Sequence, residues 1–147
     1  MKCILMGIGN ELKGDDGIGN LIARQFSHPD WLSLPCETVP ENFTAVVKRE
    51  RPDILVMVDA ADMGIGRGEL RIIPHSKLDS DVQGTHGIPL RHLVSYMDKH
   101  AGKIIFIGIQ PGNIRLGDDI SPALENTKKA LLDIIKRRDW KSIKRLE

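Results

Sequence analysis

The sequence has few cysteines, few aromatic residues and almost no net charge. Two cysteines in 147 residues exclude a disulfide-stabilised framework. The 21 Lys and Arg residues nearly balance the 20 Asp and Glu residues, so the formal net charge is +1. That balance excludes a chain-wide basic field for binding nucleic acid or an anionic membrane. The longest apolar runs, Ile54–Val58 and Ile104–Ile109, are too short to cross a bilayer, and we expect no membrane insertion.

The two cysteines lie in different apolar runs, Cys3 at the start of one and Cys36 at the end of another. In parallel strands they would lie at opposite ends of a sheet, too far apart to form a disulfide. We expect both to be buried free thiols, which favours a reducing, cytoplasmic compartment. Met1-Lys2 leads directly into a short β-rich run, and we expect no signal peptide.

Apolar runs of strand length alternate with segments of helical periodicity along the whole chain. This order predicts an α/β fold: one domain over residues 1–147, a three-layer sandwich of a twisted, mostly parallel sheet of about five strands with helices on both faces. The predicted strands are Cys3–Ile8, Leu32–Glu37, Ile54–Val58, Glu69–Ile73 at an edge, and Lys103–Ile109. The predicted helices are Asp15–Phe26, one from the N-cap Asn42 to Arg49, one from Pro89 with Gly102 ending it, and one from Ser121-Pro122.

In such folds, functional residues collect at the carboxyl ends of the strands. Three segments are predicted to lie there: Gly7–Gly19, Asp59–Gly68 and Gln110–Gly117. The first resembles a dinucleotide-binding turn, but Leu12 stands where the third glycine is required. Asp15 and Asp16 would also repel a pyrophosphate at the helix N-terminus. We therefore expect no nucleotide and no organic cofactor.

Four residues at this edge could carry chemistry. Asp15 and Asp16 open a helix, and we expect one to stabilise its N-terminus while the other points into the cleft. Asp59 follows a strongly apolar run, where a carboxylate is costly unless it is hydrogen-bonded or metal-bound. It could instead cap the amides of the turn Asp62-Met63-Gly64. His86, in a glycine-flanked loop, is a further metal candidate or a solvated side chain. Two carboxylates and one imidazole suit a borderline divalent metal.

Six sequence blocks together resemble the nickel–iron hydrogenase maturation endopeptidases. The resemblance is closest to the branch that processes the large subunit of hydrogenase 3. In order, the blocks are Gly7-Ile8-Gly9-Asn10, Gly14-Asp15-Asp16-Gly17-Ile18-Gly19, Pro40-Glu41-Asn42, Val58-Asp59-Ala60-Ala61-Asp62-Met63-Gly64, Thr85-His86-Gly87-Ile88-Pro89-Leu90 and Gly108-Ile109-Gln110-Pro111.

The resemblance implies an endopeptidase that removes the C-terminal extension of a hydrogenase large-subunit precursor after nickel insertion. It implies a monomer whose partner is that precursor, and a divalent metal, nickel, that arrives with the precursor. Asp16 and Asp59 would be the catalytic residues, in an aspartyl-protease-like arrangement. The implied metal contacts are Asp16, Asp59 and His86, and the implied substrate-binding residues are Gly17, Glu41 and Asn42.

One segment departs from the pattern of this family. Many relatives carry Asp-Gly-Gly shortly before the Pro-Glu-Asn block, whereas this chain reads Pro35-Cys36-Glu37-Thr38-Val39. Two alternatives remain open: a non-enzymatic flavodoxin-like binding module, and a related peptidase with a different protein target. The basic C-terminal helix is either a docking patch or a solvated face. Its cations are Lys136, Arg137, Arg138, Lys141, Lys144 and Arg145.

Overall fold

The computed structural model describes residues 1–79 and 89–147. The strands are β1 (Cys3–Ile8), β2 (Trp31–Glu37), β3 (Ile54–Ala60), β4 (Leu70–Ile72) and β5 (Lys103–Ile109). They form one five-stranded sheet in the order β2-β1-β3-β5-β4. All neighbouring strands are parallel except β4, which is antiparallel to β5. The helices are α1 (Ile18–Gln25), α2 (Thr44–Glu50), α3 (Leu90–Asp98) and α4 (Pro122–Arg137).

Helices cover both faces of the sheet, because side chains of the central strands alternate between two apolar layers. Leu5, Val56 and Ile107 belong to the layer that contains the apolar residues of α1 and α4. Met6 and Met57 belong to the opposite layer, with the apolar residues of α2 and α3. The predicted three-layer α/β sandwich with a mostly parallel sheet is confirmed. Within the described residues, no helix is long and apolar enough to span a membrane.

Two of the predicted element boundaries are wrong near the carboxyl edge of the sheet. The first helix was expected to begin at Asp15, but Gly14–Gly17 forms a 3₁₀ turn and α1 begins only at Ile18. β3 continues past Val58 to Ala60, because its ladder with β5 pairs Asp59 with Gly108. Asp59 therefore lies within a strand rather than in the loop that follows it.

Two expected helix ends also differ. Asn42 does not cap α2, since it lies inside a second 3₁₀ turn, Pro40–Phe43, that precedes the helix. Gly102 does not end α3, which stops at Asp98. A Cβ atom at Gly102 would lie 2.6 Å from the carbonyl oxygen of Asp53. Gly102 is therefore explained by close chain packing rather than by helix termination.

Two glycines, Gly7 in β1 and Gly19 in α1, allow this helix to lie directly against the sheet. A side chain at Gly7 would clash with the carbonyl of Gly19 and would lie 2.6 Å from the Cβ atom of Ala23. A side chain at Gly19 would clash with the carbonyl oxygens of Ile8 and Val58. Close packing between strand and helix therefore explains the glycine at the end of β1. Both cysteines are buried and free, as expected.

Candidate active site

Three aspartates are buried at the carboxyl edge of the sheet. Asp15 is fully buried, Asp59 is 1% exposed and Asp16 is 2% exposed. Burying a carboxylate is costly unless polar groups or a cation compensate for its lost hydration. The partners of each carboxylate therefore decide which aspartates are structural and which are available for chemistry.

Asp15 is structural. Its Oδ2 accepts hydrogen bonds from the backbone N–H of Gly112 at 2.8 Å and of Asn113 at 3.0 Å. Its Oδ1 accepts from the backbone N–H of Ser121 at 2.6 Å, and the Ser121 hydroxyl donates to Oδ2 at 3.0 Å. We expected one of the two adjacent aspartates to be structural, which is correct, but Asp15 fixes the β5–α4 loop rather than its own helix.

Asp16 and Asp59 lie on neighbouring elements at the same edge. The backbone N–H of Asn10 donates to Oδ2 of Asp16 at 3.2 Å. The turn Gly14–Gly17, which carries Asp16, packs against β3, which carries Asp59. Because side chains alternate along a strand, Asp59 faces the same layer as Met57, the layer of α2 and α3. The two predicted catalytic residues are thus on adjoining segments.

The third predicted metal contact, His86, lies outside the described residues. Among residues 1–79 and 89–147, no group of three or more His, Cys, Asp and Glu side chains could hold a metal ion. Asp16 and Asp59 are the two predicted contacts that lie within the described residues, and the metal role of Asp16, Asp59 and His86 stays a prediction.

Two of the amides that Asp59 might have capped, those of Met63 and Gly64, bond to other groups. Gln110 Oε1 accepts from the backbone N–H of Met63 at 2.7 Å, and Asp62 Oδ1 accepts from that of Gly64 at 3.2 Å. The Gln110 amide also donates to Asp62 Oδ1 at 3.2 Å. Gln110 therefore holds the loop after β3, a function that the sequence did not reveal. The amides of Met63 and Gly64 are therefore not held by Asp59.

Glu41 turns toward the protein interior. Its Oε2 is buried and accepts no hydrogen bond from the described residues. Burial raises the pKa of the nearby Cys36 thiol to about 12, and the Glu41 carboxylate adds to that rise. Asn42 is exposed in the same turn. A Cβ atom at Gly17 would lie 2.5 Å from the Cα of Glu11, so packing accounts for this glycine. Their substrate-binding roles stay predictions.

A polar network missed by the sequence reasoning joins the ends of β1 and β2. The Asn20 side chain, 1% exposed, donates to Glu11 Oε2 and accepts from the backbone N–H of Glu37 at 2.8 Å. Arg24 Nε donates to the same Glu11 oxygen at 2.6 Å. In the sequence, only one feature indicated this network: Asn20 is a polar residue among the apolar residues on the buried face of α1. The network fixes the loop after β1, which precedes Asp16.

Known proteins resemble this chain in sequence and fold. A family model described as hydrogenase maturation protease matches residues 18–138. The hydrogenase 3 maturation protease of Escherichia coli K12 is 36% identical over 115 residues, covering 76% of this chain and 74% of that protein.

Solved structures agree with the sequence matches. The [NiFe] hydrogenase maturation protease HycI from Thermococcus kodakarensis KOD1 has a TM-score of 0.83 and 34% identity, covering 92% of this chain and 90% of that chain. A crystal structure of a hydrogenase 3 maturation protease has a TM-score of 0.90 and 27% identity, covering 100% of this chain and 97% of the other.

Proposed function

Because the chain belongs to the hydrogenase maturation protease family and is thus a peptide-bond hydrolase, we propose that it removes the C-terminal extension of a nickel–iron hydrogenase large-subunit precursor after nickel insertion. The family match excludes a non-enzymatic flavodoxin-like module. The target hydrogenase is a separate question, since Pro35–Val39 departs from the pattern of many relatives.

The observation that carries this proposal is the pair of buried carboxylates on adjoining segments, Asp16 and Asp59. Nickel is part of the substrate: the precursor brings it, and Asp16, Asp59 and His86 contact it when the precursor docks. α3 begins at Leu90, four residues after His86, and packs on the sheet face toward which Asp59 points. A divalent ion there can polarise the scissile carbonyl or lower the pKa of the attacking water, while a carboxylate takes the proton.

Two buried free thiols support the cytoplasm as its compartment. The two outer strands support a monomer. β4 hydrogen-bonds on its outer side to the segment 144–146, since Ile72 N–H donates to Lys144 O at 2.8 Å and Leu146 N–H to Ile72 O at 2.9 Å. Pro35 interrupts the donor row of β2. Covered or interrupted edges disfavour pairing between copies.

The test uses the precursor whose gene lies nearest in the genome and encodes a C-terminal extension. Purified enzyme is mixed with that precursor in its apo and nickel-loaded forms, and loss of the C-terminal peptide is followed by gel and mass spectrometry. We expect cleavage of the nickel-loaded form only. Equal cleavage of both forms would refute the metal checkpoint, and cleavage of neither would refute this precursor as the target.

A further inference from the structure

Two of the most exposed large apolar side chains lie together beside the candidate active site. Leu12, in the loop after β1, is 69% exposed, and Leu116, in the loop after β5, is 75% exposed. The backbone N–H of Gly117 donates to the carbonyl of Leu12 at 2.7 Å, so the two loops are in contact. Neighbouring exposed leucines on hydrogen-bonded loops indicate a surface for binding another molecule.

Leu12 lies between two cavities. One, of about 590 Å³, is lined by Glu11, Leu12, Asn20 and Glu37 among others. The other, of about 310 Å³, is lined by Glu11, Leu12, Leu116, Asp118 and Asp119 together with Gly117. Because Glu11 and Leu12 line both, the cavities form one continuous surface, which we name the Leu12 surface.

The Leu12 surface is acidic, although the chain as a whole has a net charge of only +1. Four carboxylates and one guanidinium line it: Glu11, Glu37, Asp118, Asp119 and Arg24.

Two of these carboxylates are already neutralised. Arg24 lies 2.6 Å from Glu11, and Arg115 lies 3.4 Å from Asp118. No ion pair involves Glu37 or Asp119 among the described residues. The chemistry that complements this surface is therefore an apolar side chain next to a Lys or Arg.

The Leu12 surface is connected to the candidate active site. Asn10, two residues before Leu12, donates its backbone N–H to Asp16 at 3.2 Å. We propose that the Leu12 surface binds a segment of the hydrogenase large-subunit precursor in which an apolar residue adjoins a Lys or Arg, and so places the scissile bond at Asp16 and Asp59. This inference rests on the proposed function.

The test separates binding from chemistry by measuring KM and kcat on the nickel-loaded precursor. Leu12→Ser and Asp119→Lys each remove one component of the surface. We expect each to raise KM about tenfold with little change in kcat, because a lost binding contact weakens association without altering the reacting groups. Added salt should raise KM for the wild type and have a smaller effect on Asp119→Lys, because salt screens the charge attraction.

The matched controls make the same changes at the opposite end of the sheet. Leu32, 38% exposed, lies near the start of β2, and Asp98 is the exposed last residue of α3. Leu32→Ser and Asp98→Lys should leave KM unchanged. Thermal melting of all four variants checks that each is folded.

The outcomes distinguish this inference from the proposed function. A wild-type KM in both Leu12→Ser and Asp119→Lys would overturn the Leu12 surface while cleavage by the wild type leaves the function intact. A fall in kcat alone would also overturn it, since it would mean that Leu12 acts on Asp16 and not on the precursor. Absence of cleavage by the wild type would instead count against the proposed function.

Discussion

The backbone N–H of Ser121 donates a hydrogen bond to the Asp15 carboxylate at 2.6 Å, across 106 positions of sequence. Ser121 precedes the first residue of α4, but its hydroxyl donates to Asp15 and makes no capping bond to its own helix. This contact joins the loop after β1 to the loop after β5. Because those strands flank β3, it positions the surroundings of Asp59 from both sides.

Asp15→Ala is expected to lower the free energy of unfolding by about 3 to 5 kcal/mol, because it removes the fully buried carboxylate that accepts hydrogen bonds from three backbone N–H groups. Urea unfolding measures the loss. The control is Asp133→Ala, which removes a surface ion pair with Arg137 and should cost no more than about 1 kcal/mol. Equal stability of the two variants would contradict a structural role for Asp15.

Asp16→Asn and Asp59→Asn should melt near the wild-type temperature and yet lose cleavage of the nickel-loaded precursor. An amide keeps the shape of the carboxylate but removes the charge through which, in our proposal, the residue binds the metal and takes the proton. Gel assays beside thermal melts measure both properties. Asp62→Asn is the control, because Asp62 lies at the same edge and is exposed, and the hydrogen bonds it makes with the described residues use an Oδ1 acceptor that asparagine retains. Retained cleavage in either Asp16→Asn or Asp59→Asn would remove that residue from the mechanism.

Gly19→Ala should destabilise the fold by about 1 to 3 kcal/mol, because the added methyl group would force α1 away from the carbonyls of Ile8 and Val58. Denaturant unfolding again provides the measurement. At Gly66 the added atom would meet only the flexible end of the Glu69 side chain, so Gly66→Ala serves as the control and should cost less. If both variants were equally stable, close packing would not explain Gly19.

Cys36 should make the protein less stable at alkaline pH. Burial, with a further contribution from Glu41, raises the pKa of its thiol from 9.0 to about 12. Above pH 9 the unfolded thiol loses its proton while the folded thiol keeps it, so the unfolded state binds fewer protons. The free energy of unfolding should therefore fall by about 1.4 kcal/mol per pH unit between pH 9 and 12.

The measurement compares urea unfolding of the wild type and Cys36→Ala from pH 8 to 11. The variant should lack this part of the pH dependence, whatever stability it loses from its smaller side chain. Parallel pH profiles for the two proteins would show that the Cys36 thiol is not responsible.

The sequence predicted the architecture because the buried strands are short, continuous apolar runs. Lys103–Ile109 was predicted with its observed bounds, since a lysine and a Gln-Pro pair delimit it. Asp59 was misplaced in a loop, because its inclusion in β3 depends on pairing with Gly108, almost fifty residues away. Local patterns carry no information about such distant partners.

The same limit explains what was missed at the candidate site. Adjacent aspartates are alike in sequence, and only the loop at Gly112–Ser121 makes Asp15 structural. Gln110 was noted only as the start of a segment and as part of a block, because its contact with Met63 crosses 47 positions. The choice between Asp15 and Asp16 therefore required the tertiary structure.

The loop between β1 and α1 also limits how such a sequence can change in length. Surface loops usually accept insertions and deletions. Here three backbone hydrogen bonds join the loop to residues 113–118. Gly14 and Asp15 each donate an N–H to a carbonyl of that segment, and the carbonyl of Leu12 accepts from Gly117, so the loop is anchored at closely spaced points. A one-residue insertion after Lys13 would shift Asp15 into the place of Asp16 or displace both. Active variants of this protein should therefore differ in this loop by substitutions and not by insertions or deletions.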